Sequence, residues 1–192
     1  MKKLLVVLLA IACVFTMFSC GGKEDESLTA FQSAADETKP ATAKVNVVLE
    51  TPLGELNAEY NIAYNTDGTA TINYTFEKFN EITVGGEGEV KSTVTGTASV
   101  DANGNYTGDL SGSAAAISPS FNFDPEKMEY TISANENVLS ANVKAENTAD
   151  VLGVEYGSDV VLVMNKFDGK IVSFTLSYTT SQGEASVVVS YN

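Results

Sequence analysis

From Val45 to the C-terminus, apolar and polar residues alternate one for one over long stretches. Leu56, Ala58, Tyr60, Ile62 and Tyr64 fall on one side, and Asn57, Glu59 and Asn61 on the other. Ala70, Ile72, Tyr74 and Phe76 alternate with Thr69, Thr71, Asn73 and Thr75. Val90, Val94, Ala98 and Val100 alternate with Lys91, Thr93, Thr95, Thr97 and Ser99, and Val172, Phe174, Leu176 and Tyr178 with Ser173, Thr175, Ser177 and Thr179. Side chains of an extended chain point to opposite faces in turn, so this pattern predicts strands with one dry and one wet face, as antiparallel sheets have. Val160 to Met164 is apolar on both faces, which predicts a covered or central strand. No segment after residue 40 has a helical period.

Parity locates the turns, because facing residues must share a side. Tyr64 with Ala70 predicts a three-residue loop Thr66-Asp67-Gly68; Val100 with Tyr106 predicts Ala102-Asn103-Gly104; Met164 with Val172 predicts Phe167-Asp168-Gly169. Each places Gly where such a hairpin takes a left-handed residue. Tyr178 with Val187, and Ala134 with Leu139, predict even loops. Successive hairpins imply an all-β antiparallel meander of about nine or ten strands, and a sheet that long splits into a β-sandwich or rolls into a barrel-like domain. The link from Ala116 to Pro125 is the natural crossover. Leu53-Gly54-Glu55 and Leu152-Gly153-Val154-Glu155 form a weak internal echo.

Composition removes several chemistries. The 192 residues include no His and no Trp, and all 11 basic residues are Lys, against 25 acidic ones. There is no imidazole for a nucleophilic triad or a zinc site, and no guanidinium for a bidentate phosphate clamp. A formal charge of −14 opposes nucleic acid, so no nucleic-acid partner is expected. The sequence offers no cofactor motif.

The N-terminus is an export leader: Met1-Lys2-Lys3, then an apolar run from Leu4 to Phe18, then Ser19-Cys20 and the polar run Lys23-Glu24-Asp25-Glu26. Met17-Phe18-Ser19-Cys20 resembles the lipobox of bacterial lipoproteins, and the Lys-Glu-Asp-Glu run resembles an acidic tag for export to the cell surface. The resemblance implies cleavage before Cys20, lipid on its thiol, and a lipid-anchored protein of the outer membrane or cell surface. The competing readings are an ordinary cleaved signal with an incidental cysteine, and a membrane-embedded anchor. The expected organisation is a signal peptide over 1–19, a lipidated cysteine and tether over 20–43, and an antiparallel β domain over 44–192. Ser27 to Ala35 has two readings. It is either disordered spacer or a short helix docked through Leu28, Phe31 and Ala35, too short to stand alone in water.

Catalysis would have to use carboxylates, Lys, Tyr or Ser. Glu55, Glu59, Glu77, Glu87 and Glu89 are expected in solvent and nothing pairs them, so no catalytic residue is assigned and a carboxylate-dependent hydrolase is a minor reading. Asp101 to Asn105 fails the calcium-loop pattern, and Asp124 with Glu126, or Asp150, reads as polar loop. Inward Gly96, Ala98, Gly108, Gly112 and Ala114 beside Tyr60, Tyr64 and Tyr74 mark either close packing or a cavity for an apolar ligand. The expected function is a non-enzymatic, lipid-anchored envelope module. Its partners are the membrane through Cys20 and a protein, glycan or small apolar ligand. A lipocalin-like carrier and an integral outer-membrane β-barrel compete with this expectation.

Overall fold

The computed structural model describes residues 24–80, 91–101, 106–107 and 120–192. Helix α1 (Glu24–Glu37) precedes strands β1 (Thr42–Thr51), β2 (Gly54–Tyr64), β3 (Ala70–Phe79), β4 (Lys91–Val100) and β5 (Tyr106–Thr107). Then come β6 (Met128–Ile132), β7 (Val138–Val143), a 3₁₀ turn (Ala145–Asn147), the short helix α2 (Thr148–Leu152), β8 (Val160–Phe167), β9 (Lys170–Thr180) and β10 (Gly183–Tyr191). The ten strands form one sheet in the order β5-β4-β3-β2-β1-β10-β9-β8-β7-β6. It consists of two meanders. The first runs outward from β1 and the second runs inward to β10. They meet where β1 and β10 pair antiparallel, from Ala43 opposite Tyr191 to Glu50 opposite Glu184. Thr42 and Asn192 extend the seam with reciprocal backbone bonds of 3.3 and 3.0 Å.

The inner faces of both meanders belong to one core, from Ile72 and Ala98 through Val45 and Val187 to Leu162 and Leu139. A single sheet can bury one face from so many strands only by curling around it. The fold is therefore all-β, antiparallel and barrel-like. The outer face of β1 to β4 is wet, with Lys44, Asn57, Asn61, Asn73 and Thr95 exposed. A strand barrel embedded in a bilayer turns its apolar side chains outward, the reverse of this arrangement.

The alternation and two hairpins are as the sequence predicts. Tyr64 faces Ala70, with Gly68 left-handed at φ 83°. Val100 faces Tyr106, while the loop at 102–105 lies outside the described residues, as do Val90, Gly108, Gly112 and Ala114.

Three registers differ from the expectation. Met164 faces Phe174, not Val172, because Val172 is an extra residue bulged out between Ile171, opposite Lys166, and Ser173, opposite Asn165. The bulge shortens the predicted three-residue loop to the two-residue turn Asp168-Gly169, with φ 50° and 72°. Tyr178 faces Ala185 rather than Val187, so the even loop is Ser181-Gln182. The other even loop is four residues, Ala134 to Asn137, closed by Ile132 opposite Leu139. Val161 and Val163 are half-buried, so the run in β8 is dry on one face only. The helical turns at 145–152 had no periodic signal to announce them. The Leu-Gly echo spans a hairpin turn in one copy and the end of α2 in the other, so the two copies are not equivalent places in the fold.

Much of the segment expected as tether belongs to the folded body. Phe31 is completely buried, and Leu28 and Ala34 nearly so, while Ala35 is only half-buried. Gln32 Nε2 donates to the Phe121 carbonyl at 3.0 Å, and its Oε1 accepts from the Phe123 amide at 2.8 Å. Thr38 Oγ accepts from the Ile171 amide at 2.9 Å. Helix α1 is thus clamped between the 121–123 strap and β9, the tertiary support that a helix of this length needs. Glu26, exposed in the first turn, complements the helix dipole.

Candidate functional site

Along the inner face, burial falls off toward one end of the strands. Val45, Tyr60, Ile62, Ile72, Tyr74 and Ala98 are buried. Val47 and Leu49 on β1, Leu56 and Ala58 on β2, Phe76 on β3 and Val94 on β4 share that face but are half-exposed. They are cross-strand neighbours: Leu49 faces Leu56, Val47 faces Ala58, Ala58 faces Phe76, and Phe76 faces Val94. Together they form a continuous apolar strip toward this end of the strands, over four adjacent strands.

Two hydroxyls flank this strip. On β9, Tyr178 meets Tyr156 edge to face at 4.7 Å. The Tyr156 hydroxyl is buried without a hydrogen-bond partner among the described residues, and burial, with a smaller contribution from Tyr178, pushes its pKa up to about 12. On the other side, Ser92 lies two residues before Val94 on the same face of β4, and its hydroxyl is also buried and unpartnered. Buried polar atoms are nearly always bonded, so two unspent hydroxyls beside one apolar strip call for an explanation. Neither was legible in the sequence, where both look like ordinary strand or loop residues.

The small inward residue Gly96 does not leave a void. Its cross-strand partner is Tyr74, whose ring lies over it, so that a Cβ at position 96 would overlap the Tyr74 hydroxyl. Tyr74 in turn stacks on Phe76, with ring centroids 5.9 Å apart. Close packing is the right reading of this glycine.

The carboxylates lie on the outer face. Asn57 gathers two of them, donating from Nδ2 to Glu55 at 3.0 Å and to Glu77 at 3.1 Å, and from its amide to Glu77 at 2.8 Å. Lys91 stands 3.6 Å from Glu77 and also contacts the Glu55 carbonyl. The Asn57 bonds, with a smaller contribution from Lys91, lower the Glu77 pKa. An acid–base pair needs one carboxyl held protonated, and this setting does the opposite at Glu77. Glu59 is likewise lowered by Lys44 and Asn61. Glu87 and Glu89 lie outside the described residues. Asp124 accepts the Glu126 amide in a local turn, and Asp150 pairs with Lys127 at 2.7 Å. Among the described residues, no group of His, Cys, Asp or Glu is placed to hold a metal ion. Cys20 lies outside them.

Fold and site define a class: an all-β antiparallel domain, one curled sheet with a helix docked ahead of its first strand and a half-exposed apolar strip toward one end. No family model matches the sequence, and no curated protein is significantly similar to it. Solved structures with a related trace include LprF from Mycobacterium bovis, at 13% identity and TM-score 0.41, covering 86% of this chain and 92% of that one. A putative outer-membrane lipoprotein-sorting protein domain from Vibrio parahaemolyticus aligns at 9% identity and TM-score 0.27, over 88% and 91% of the two chains. The redesigned β-barrel mFAP1 aligns at 13% identity and TM-score 0.26, over 83% and 99%. Overlaps this loose leave the fold and the function to rest on the chain's own geometry.

Proposed function

We propose that the chain is a lipid-anchored, non-enzymatic binding module of the bacterial envelope that takes an apolar or amphiphilic ligand at the half-exposed end of its sheet. The observation that carries this reading is the half-exposed strip Leu49, Leu56, Phe76 and Val94, flanked by the unpartnered hydroxyls of Ser92 and Tyr156. Ligand sites combine apolar lining with a few polar groups that fix orientation, and this end supplies both. The strip and its flanks span β4 to β9, about 24 Å along the sheet at the usual strand spacing, enough for an extended chain. The lipobox-like Met17-Phe18-Ser19-Cys20 supports attachment through Cys20, and with it a position at the outer membrane or cell surface.

Binding is tested by titrating the chain with the neutral apolar dye N-phenylnaphthylamine. The expected result is saturable fluorescence enhancement, reduced at least tenfold in affinity by Leu49→Asp with Phe76→Asp. Leu53→Asp, at an exposed turn, should leave it unchanged. Absence of saturable binding, or equal losses in all variants, would exclude the strip as the site. The anchor is tested separately by labelling cells with radioactive palmitate: incorporation into the chain should vanish in Cys20→Ser.

A further inference from the structure

Phe167 is 72% exposed at the tip of the β8–β9 hairpin, although the turn itself needs only Asp168 and Gly169. The bulge places Val172, 37% exposed, on the same outer face as Phe167 and Lys170. Behind them Lys166 sits over the Phe31 ring at 4.6 Å, and Lys39 follows Thr38, which is bonded to Ile171. Four of the described lysines, Lys44, Lys91, Lys127 and Lys144, are held in ion pairs. Three of the remaining four, Lys39, Lys166 and Lys170, collect at this end of a strongly acidic chain. The acidic groups nearby are Asp36, Glu37, Glu136 and Asp168, so charge here is close to balanced while the rest of the domain is negative.

We infer that this hairpin tip docks on the lipid bilayer, Phe167 and Val172 entering the interface and the lysines facing anionic headgroups. The inference rests on the proposed anchor at Cys20, because the helix that follows it packs at this end of the sheet, with Phe31 beneath Lys166 and Thr38 bonded to Ile171. Cys20 lies four residues before α1, at most about 14 Å of extended chain. Phe31 lies seven residues into the helix, about 10 Å further, and touches Lys166. The phenyl arm, the lysine arm and the step to Phe167 add to these legs, so the acylated residue stays within roughly 40 Å of the tip, whatever path the linker takes. Leu53 (76% exposed) sits past the far end of β1, about 30 Å away along the strand, with no lysine cluster beside it among the described residues. An apolar residue flanked by lysines is the signature of interfacial insertion, since lysine stems lie along the apolar layer while their ammonium groups reach the headgroups.

The chain contains no Trp, so a single introduced Trp is a clean reporter. Acylated full-length protein carrying Phe167→Trp or Leu53→Trp is reconstituted in phosphatidylethanolamine–phosphatidylglycerol vesicles, with and without brominated acyl chains. The expected result is at least twofold quenching by bromolipid and a blue-shifted emission for Trp at 167, with neither at 53. Lys166→Glu with Lys170→Glu should halve the quenching at 167. If the acylated protein floats with vesicles but the reporter at 167 is as open to aqueous iodide as in free protein, docking is overturned and the anchor stands. If the protein neither takes up palmitate nor floats, the anchor reading falls, and the docking inference falls with it.

Discussion

Phe31→Ala tests whether α1 is part of the folded body or merely the end of a leash. The side chain is fully buried among core residues and beneath Lys166. Truncation removes the apolar contacts and leaves a cavity that the clamped helix cannot easily collapse, a loss of about 3–5 kcal/mol for a buried Phe. Whole domains are stable by only about 5–15 kcal/mol, so the variant should stand near the threshold of folding. At about 2–4 °C per kcal/mol for a domain of this size, Tm should fall by about 6–20 °C. The measurement is urea unfolding of residues 20–192 carrying Cys20→Ser, followed by tyrosine fluorescence and by circular dichroism. The midpoint should drop with an unchanged denaturant slope. Glu26→Ala, on an exposed position of the same helix, should stay within about 0.5 kcal/mol of the parent. A loss below about 1 kcal/mol for Phe31→Ala would refute the docking of α1 and restore the flexible spacer.

Gly183→Ala should destabilise by more than about 1–3 kcal/mol or abolish folding, because the new Cβ would overlap the Glu50 carbonyl oxygen at the β1–β10 seam; near-parent stability by urea titration would contradict that close approach. Gly96→Ala should cost about 1–3 kcal/mol by displacing the Tyr74 ring, and much of that should be recovered when Tyr74 is also shortened to Leu; additive losses would mean the two do not share one space. Burial raises the Tyr156 pKa to about 12 and moves those of Tyr178 and Tyr191 upward as well. Unfolded phenols release their protons near pH 10 while these are still held in the folded state, so stability is intact below about pH 10 and falls as pH rises toward 12. Absorbance at 295 nm should show late-titrating phenols that coincide with unfolding; a single step near pH 10 with native circular dichroism would count against their burial. At the acid end, Glu59, Glu77 and Asp159 have pKa values lowered by hydrogen bonds. Their contribution should therefore be present above the ordinary carboxylate range and fade as pH falls below it, a trend visible in urea midpoints between pH 5 and about pH 3.

Much of the sheet was legible because a strand writes its buried face into every second residue. Tyr64 with Ala70 and Val100 with Tyr106 could be paired by parity alone. Parity failed at Val172 for a definite reason: a bulge inserts a residue without disturbing the local pattern, and the inserted residue happens to be apolar. The seam between β1 and β10 left no trace because its partners are far apart in sequence, and alternation says which side a residue faces, not which strand lies beside it. Helix α1 was visible as an apolar stripe through Leu28 and Phe31. What holds it, the Gln32 bonds to the Phe121 and Phe123 backbone, comes from a loop some ninety residues away. The candidate site was legible only in part. The inward apolar residues were, but the decline in burial along them and the two unspent hydroxyls depend on what packs opposite.

Strand β10 follows the other described strands in the chain, yet it stands in the middle of the sheet. Among the described strands, β10 is the one that joins the two meanders, so β1 keeps a bare edge until β10 is in place. Folding then has to close a loop nearly as long as the domain, a slow step by its topology. A chain clipped before Gly183 would be left as two half-sheets, each with a new open flank where β10 had lain. β10 is thus the fastener of this fold, and its loss undoes both halves at once.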